Sequence, residues 1–293
     1  MKPQLFILVD KLAYFFSWEA RFFQDHFDVV SYPHPEAYLY AAGNDVFWKA
    51  TGLPCKKRIS FLTPGFSLDP YHNKMWREAI RQTITDYYDL VFTSNNVLSS
   101  SIEHPRIKVR PLSLPWDKLP PPRVRTKAQS FLHASANWPH KCLQNQIAIL
   151  SLLEKYSLIE RGEVYPDAST PTNVEGYGPT DQLYLRMREN DVFIHIAPDH
   201  PFAIDNSPPA TVLEAAATGA ICFWYDQYAV GCPYETILTV SSAEPVVAVA
   251  DIYETLRTLD VAAHSLKTAE ELRRACDPVK TVKFLADAIL ALS

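Results

Sequence analysis

Apolar residues along this chain fall into short continuous runs separated by amphipathic stretches, the pattern of a parallel sheet whose strands are buried on both faces. The first run, Leu5 to Asp10 (LFILVD), is a strand closed by an acid at its carboxyl end. AYFFSWEARFFQDHF then sets Phe15, Trp18 and Phe22 in helical spacing, and Phe27 to Pro33 predicts a second strand. Tyr14, Phe16 and Phe23 give that helix more aromatic surface than one core-facing stripe requires. Burial under neighbouring loops is preferred over a membrane-interface face, because only Lys11 and Arg21 could serve anionic lipid. Residues 34–58 predict a helical segment and then a basic run, Lys56, Lys57 and Arg58, that reads as a solvated loop. RISFLTP is a strand entering Pro64-Gly65, and SLDPYHNKMWREAIRQTITDYYD is a long amphipathic helix with a proline-marked start. Leu90 to Asn95 is a strand ending in Ser94 and Asn95, which suit a helix cap, and Ile107 to Pro115 is another strand. The proline-rich, charged DKLPPPRVRT marks a domain boundary within residues 116–127.

The second half repeats the alternation. Phe131 to Ala136 predicts a strand, followed by a polar turn and an amphipathic helix; GEVYPDAS is a short strand and EGYG a turn. DQLYLRMREN is a helix with Leu183 and Met187 on one face, and Asp191 to Pro198 (DVFIHIAP) is a strand. In Asp205 to Asp226 (DNSPPATVLEAAATGAICFWYD), Asn206 and Ser207 are good N-cap residues and Pro208 and Pro209 fit a first helical turn. Gly219 supplies the stop, and AICFWY is a buried strand ending at Asp226. From Glu244 the tail predicts two helical segments, the last, VKTVKFLADAILAL, with the apolar face of a helix docking on a domain.

Composition narrows the class. A chain of 293 residues, 47% hydrophobic and 21% charged, is globular with material for two domains. A net charge of −5 argues against a general nucleic-acid binder; residues 1–120 carry 14 Lys and Arg against 12 Asp and Glu, and residues 121–293 carry 14 against 21, so the front half is the less acidic. Cys55, Cys142, Cys222, Cys232 and Cys276 are odd in number and widely spaced, which indicates neither a disulfide framework nor a zinc site and fits a reducing cytoplasm. The N-terminal apolar run is too short for a signal peptide, and no stretch of about 20 apolar residues is present to span a bilayer. With 8 Gly against 23 Pro, connections are expected to be kinked and rigid.

Candidate chemistry gathers where the strands end. In an open α/β sheet a helix N-terminus at the carboxyl edge offers free N–H groups and a positive dipole end to an anion, most often a phosphate. The helix beginning near Pro208 has that place, with Glu214 one turn further in. The helix start followed by LEAAATGAICF resembles the donor-site helix of GT-B-fold glycosyltransferases, particularly the retaining family-4 (group 1) type, whose hallmark is two glutamates separated by seven residues. Glu214 matches the second, which in that family holds the ribose of a nucleotide-sugar donor; at the first stands Asn206, with Asp205 one step before it. That family also places a Gly-Arg pair after a strand and a lysine five residues past the arginine, the two cations gripping the donor's diphosphate. Lys141 matches the lysine, while Ser135, Ala136 and Asn137 occupy the positions in front and no arginine matches. The resemblance covers roughly residues 130–245; residues 1–129 match in general αβ layout.

The resemblance implies an α/β GT-B architecture, two Rossmann-like domains with a donor cleft between them. Residues 1–120 would hold the acceptor, residues 121–277 the nucleotide sugar, and residues 278–293 would form a helix crossing back to the first domain. It implies a metal-independent glycosyltransferase with no cofactor beyond its nucleotide diphosphate sugar donor, acting on a glycan, lipid-linked or other acceptor with retention, cytoplasmic, with at most peripheral membrane contact. Lys141, with Asn137 in its turn, falls to the diphosphate, the Ala210 and Thr211 amides and the Thr211 hydroxyl to the distal phosphate, and Glu214 to the ribose. Asp205, Asn206 and Ser207 would line the sugar pocket. For an acceptor base, Asp10 has the position at a strand end, and His72 or His34 has the chemistry, with an ordinary pKa of about 6.5. His195, inside an apolar strand, reads as structural, and His200 stays a candidate by its place in the donor loop. The missing arginine, Asn206 at the acidic position and KLAYFF in place of a glycine loop keep open a non-catalytic nucleotide-sugar-binding or scaffold protein of the same fold, and an epimerase is a further alternative.

Overall fold

The computed structural model describes residues 2–10, 16–63, 73–94, 96–136, 138, 141–173, 176–198, 208–229 and 231–292. The chain forms two compact units, one of Met1–Pro115 and Cys276–Ser293, the other of Trp116–His200 and Ser207–Ala275.

The first unit carries a parallel sheet of β1 (Gln4–Val9), β2 (Asp28–Val30), β3 (Tyr38–Ala42), β4 (Lys57–Leu62), β5 (Leu90–Thr93) and β6 (Ile107–Val109), in the spatial order β2-β1-β3-β4-β5-β6. Its connections are α1 (Phe16–Glu19), a 3-10 turn (Ala20–Asp25), α2 (Asn44–Lys49), α3 (Lys74–Tyr87) and α4 (Asn96–Ile102). Leu5, Tyr40, Ile59, Phe61 and Phe92 pack on Phe23, Phe27 and the last helix of the chain, α10 (Pro278–Leu290), whose Val282, Leu285, Ala286 and Ile289 are fully buried.

Several local expectations are corrected. Residues 34–58 hold β3 as well as a helix: Tyr38–Ala42 is buried throughout, so no period-2 pattern exists to announce a strand, and burial overrides the helical preference of its alanines and leucine. Gly43, at φ +111, turns the chain from β3 into α2. Lys57 and Arg58 belong to β4 instead of a solvated loop. Lys57 pairs with Asp89 at 3.2 Å, and Arg58 donates to the carbonyls of Ala50, Leu53 and Tyr87.

The expected first helix is a single α turn followed by a 3-10 turn, with Trp18 and Phe23 as its buried anchors; Phe15 lies outside the described residues. Glu19 is drawn inward to a buried pair with Arg110, which donates Nη1 to Oε2 at 2.9 Å and Nη2 to Oε1 and lies 4.5 Å over the Phe61 ring. Ser113 donates to the same carboxylate and accepts from the Trp18 indole at 3.1 Å. β6 stops at Val109, because Pro111 and Pro115 cannot donate to a ladder. α3 begins behind Asn73, whose side chain accepts from the Met75 and Trp76 amides.

The second unit carries β7 (Ser130–Ala134), β8 (Arg161–Tyr165), β9 (Val192–His195), β10 (Ile221–Tyr225) and β11 (Ile237–Val240), parallel and in the order β11-β10-β9-β7-β8. α5 (Leu143–Lys155), α6 (Thr180–Glu189), α7 (Ala210–Ala217), α8 (Pro245–Thr258) and α9 (Val261–Ala275) cover it. Phe131, Val192, Ile194, Ile221 and Phe223 meet Ile149 and Leu153 of α5 and Ala248 and Ile252 of α8. Here β11 (ILTV) is an unanticipated strand, the tail from Glu244 gives three helices where two were expected, and α6 buries Tyr184 beside Met187 in place of Leu183. α8 and α10 start as proline-led helices capped by the Glu244 and Asp277 side chains.

Candidate functional site

A doubly wound sheet binds ligands where successive connections leave in opposite directions, outside the carboxyl ends of the strands. In the second unit that switch lies between β7 and β9, since β8 was added on one side of β7 and β9 on the other. The strands part there. β7 is paired to β8 up to Ala134↔Tyr165 and β9 to β10 up to His195↔Trp224, whereas the β7–β9 ladder ends at Leu132↔Phe193.

The connection leaving β7 carries the Lys141 turn. Trp138 N donates to Ala136 O at 2.8 Å and Lys141 N to Trp138 O at 2.9 Å; Cys142, at φ +48, then leads into α5. The connection leaving β9 leads to α7, and its first residues, 196–198, are fastened on both sides. Gln146 accepts from Ile196 N at 3.0 Å, and Asn145 donates to Ile196 O at 2.7 Å and Ala243 O at 2.9 Å. Gln227, with its amide turned to satisfy its neighbours, donates to Ala197 O and Pro198 O.

α7 starts later than the prolines suggested. Pro208 and Pro209 are buried ahead of the helix instead of filling its first turn, and Pro209 is the cap residue, in extended conformation, its carbonyl accepting from Val212 N at 3.0 Å. The first N–H groups inside the helix are therefore those of Ala210 and Thr211, both half-buried, and a helix supplies its first-turn amides with no acceptor of its own. Behind them Glu214 is 2% exposed, and the Tyr184 hydroxyl donates to its Oε1 at 3.2 Å. Burial pushes its carboxyl up to about 7, against the opposing pull of that hydrogen bond.

The far end of α7 is held by a guanidinium. Arg125, nearly fully buried, donates to the carbonyls of Met187, Arg188 and Asn190 at the end of α6 and to that of Thr218 at the end of α7, and burial pushes it down to about 10. Gly219 follows at φ +85, and an added Cβ there would come within 2.5 Å of Arg123 O.

The parted strand ends also hold a cluster that the sequence did not announce. His133, fully buried, faces Ile194 O with Nδ1 at 3.0 Å and Ser135 Oγ with Nε2 at 2.8 Å; the His195 ring lies 5.5 Å away. Its sequence signal is the HAS tripeptide at the end of a buried strand, where two polar side chains interrupt an apolar run.

Lys141, Ala210, Thr211 and Glu214 thus belong to the connections leaving neighbouring strands, or to the helix that follows one. Asn137, Asp205, Asn206, Ser207, His72 and His200 lie outside the described residues. Asp10 stands at the corresponding switch of the first sheet, after β1, where it is buried and its Oδ2 accepts from Asp45 N at 2.8 Å at the start of α2. A Cβ on Gly43 would collide with the Asp10 side chain. His34 lies in the β2–β3 connection beside Tyr32. Among the described residues, no three His, Cys, Asp or Glu side chains gather so as to hold a metal ion, and no helix is long and apolar enough to cross a membrane.

No protein-family model matches the chain, and no curated protein matches it. Solved structures do match. Sucrose-phosphate synthase from Thermosynechococcus elongatus superposes with a TM-score of 0.61 at 12% identity, over 87% of this chain and 74% of that one. HepE from Anabaena, in complex with UDP, gives 0.64 at 13% identity over 99% of this chain and 100% of that one. HepE has also been solved with UDP-glucose, and that structure gives 0.62 at 12% identity over the same shares. A trehalose-6-phosphate synthase, studied for glycosyl transfer with retention, gives 0.59 at 11% identity over 88% and 74%. With two parallel sheets flanked by helices and these neighbours, the chain has the GT-B fold, an α/β architecture of two Rossmann-like units.

Proposed function

We propose that this chain is a glycosyltransferase that moves a sugar from a nucleotide diphosphate sugar, of the UDP-sugar type, to a glycan or lipid-linked acceptor. The observation that carries the proposal is the early end of the β7–β9 ladder, at the carboxyl ends of the two strands whose connections carry Lys141 and lead to α7. An ammonium group and a helix N-terminus suit a diphosphate for separate reasons, charge and directed N–H donors. HepE, which covers the whole chain, binds UDP and UDP-glucose.

In this mechanism the bond from the sugar's anomeric carbon to the diphosphate breaks, and negative charge grows on the departing phosphate. Lys141 and the Ala210 and Thr211 amides meet that charge, with the Thr211 hydroxyl on the distal phosphate. They supply the field that a divalent cation provides elsewhere, so transfer should persist in a chelator. Oε1 of Glu214 is taken by Tyr184, and we assign Oε2 to the ribose hydroxyls. Asn137 joins the Lys141 turn on the phosphates, and Asp205, Asn206 and Ser207 line the sugar. An acceptor base, where one is used, falls to Asp10, at the end of β1 where its Oδ2 accepts from Asp45 N, or to His72 or His34. Retention of anomeric configuration belongs to the same proposal, supported by the trehalose-6-phosphate synthase likeness.

The test is transfer from a panel of UDP-sugars by the purified chain and by Lys141→Ala and Glu214→Ala. Loss of one preorganised charge contact costs on the order of 3 kcal/mol in the transition state, so each variant should lose roughly a hundredfold in rate. Both variants within about threefold of wild type would reject the site. A chain that binds UDP-sugars but neither transfers nor hydrolyses them is a nucleotide-sugar-binding protein, and formation of an epimer without acceptor would make it an epimerase.

A further inference from the structure

We propose that His133 and Ser135 form a proton-dependent anion clamp at the tip of β7, such that binding of a nucleoside diphosphate takes up one proton from solvent onto His133. The inference rests on the donor reading above and adds to it a charge that the parted strands hold in reserve.

Hydrogen bonding fixes the tautomer. A carbonyl oxygen can only accept, so Nδ1, 3.0 Å from Ile194 O, carries a proton. In the neutral ring Nε2 is then bare and accepts from the Ser135 hydroxyl at 2.8 Å. Ser135, half-buried at the start of the connection that carries Lys141, is thereby left presenting lone pairs, the wrong polarity for a phosphate. One added proton reverses this. Nε2–H donates to Ser135 Oγ, the hydroxyl proton turns outward, and it donates to a phosphate oxygen. The anion stabilises the imidazolium through the hydroxyl, and the proton returns to solvent when the anion leaves.

The surroundings make the added proton conditional on the ligand. His133 is fully buried, and burial disfavours the charged form of an imidazole. Among elements packed against β7, β9 brings His195, its ring 5.5 Å away, and β8 brings Arg161, Glu163 and Tyr165. Arg186 of α6 closes on Glu163, the Tyr184 phenol of α6 is buried against Glu214, and Asp181, Arg188 and Glu189 of α6 are exposed. α7, against β9, brings Glu214, which is bonded to Tyr184.

The experiment is isothermal titration of the whole chain with UDP from pH 6 to 9, at each pH in two buffers of different ionisation enthalpy, for wild type, Ser135→Ala and His133→Asn. At pH 8 a terminal phosphate with a pKa of about 6 is already ionised, so uptake reports on the protein. Wild type is expected to take up close to one proton per UDP, its affinity falling about tenfold per pH unit in the alkaline range. Ser135→Ala and His133→Asn should still bind but lose both the uptake and the slope; Asn keeps a donor for Ile194 O. Wild-type binding without proton uptake, or an unchanged slope in both variants, overturns the clamp and leaves the donor reading intact. No UDP binding at any pH overturns the donor reading and the clamp with it.

Discussion

Glu214 holds a buried carboxyl, and its titration can be measured as stability. Burial raises its pKa to about 7, whereas in an unfolded chain it stays near the ordinary value of 4.5. Between those values the unfolded chain releases a proton that the folded one keeps, so Glu214 costs the fold stability as pH rises through that window. Each tenfold difference in proton affinity between the folded and unfolded chain is worth about 1.4 kcal/mol, which makes the total on the order of 3 kcal/mol. Glu214→Gln removes the titration and keeps an amide oxygen for Tyr184. Urea denaturation of both proteins from pH 4 to pH 8 should show the variant gaining about that amount over wild type as pH rises; a constant difference would mean that the carboxyl ionises freely in the folded state. The motif spacing singled out Glu214 but was silent on its burial, because the Tyr184 partner comes from α6, 30 residues earlier in sequence.

α7 is eight residues long, too short to persist by its own propensity, and its placement depends on what holds its ends. Arg125 does so from the C-terminal side, serving the last carbonyls of α6 and α7 with one guanidinium. Arg125→Met would leave several buried carbonyls without a donor, each costing about 1–3 kcal/mol, and should lower the melting temperature of the second unit. Amide exchange in α6 and α7 should accelerate more than in α8; equal protection in all three helices would show that packing alone fixes α7. At this scale much was legible: the apolar runs found β1, β4, β5, β7, β9 and β10, since strands buried on both faces need no alternation to be seen. β3 escaped because its alanines and leucine read as helix, and β11 because four residues between loops carry little pattern. The His133 cluster left only the HAS tripeptide as a signal, because its partner is the Ile194 carbonyl, 61 residues away in sequence, and no local pattern states that contact.

Over the whole molecule the chain does not simply complete one unit and then the next. The first unit's core is finished by α10, with Val282, Leu285, Ala286 and Ile289 fully buried against residues of β1, β3, β4 and β5, so that core closes only when the last residues arrive. The second unit buries its own cluster around Phe131, Ile194 and Phe223 without any residue of α10. Two separate cores permit two unfolding transitions, and a substitution in one need not weaken the other. Leu285→Ala removes a fully buried side chain and should cost the first unit about 2–5 kcal/mol. Hydrogen exchange in mild denaturant should then show early opening of β1, β3, β4 and β5 together with α10, while β7, β9 and β10 keep wild-type protection. UDP, which the proposed site places on the second unit, should raise protection in β7, β9 and α7 of this variant and of wild type alike. Loss of protection across both sheets at one denaturant concentration would mean that the two cores unfold as one, and α10 would then be a brace for the entire chain.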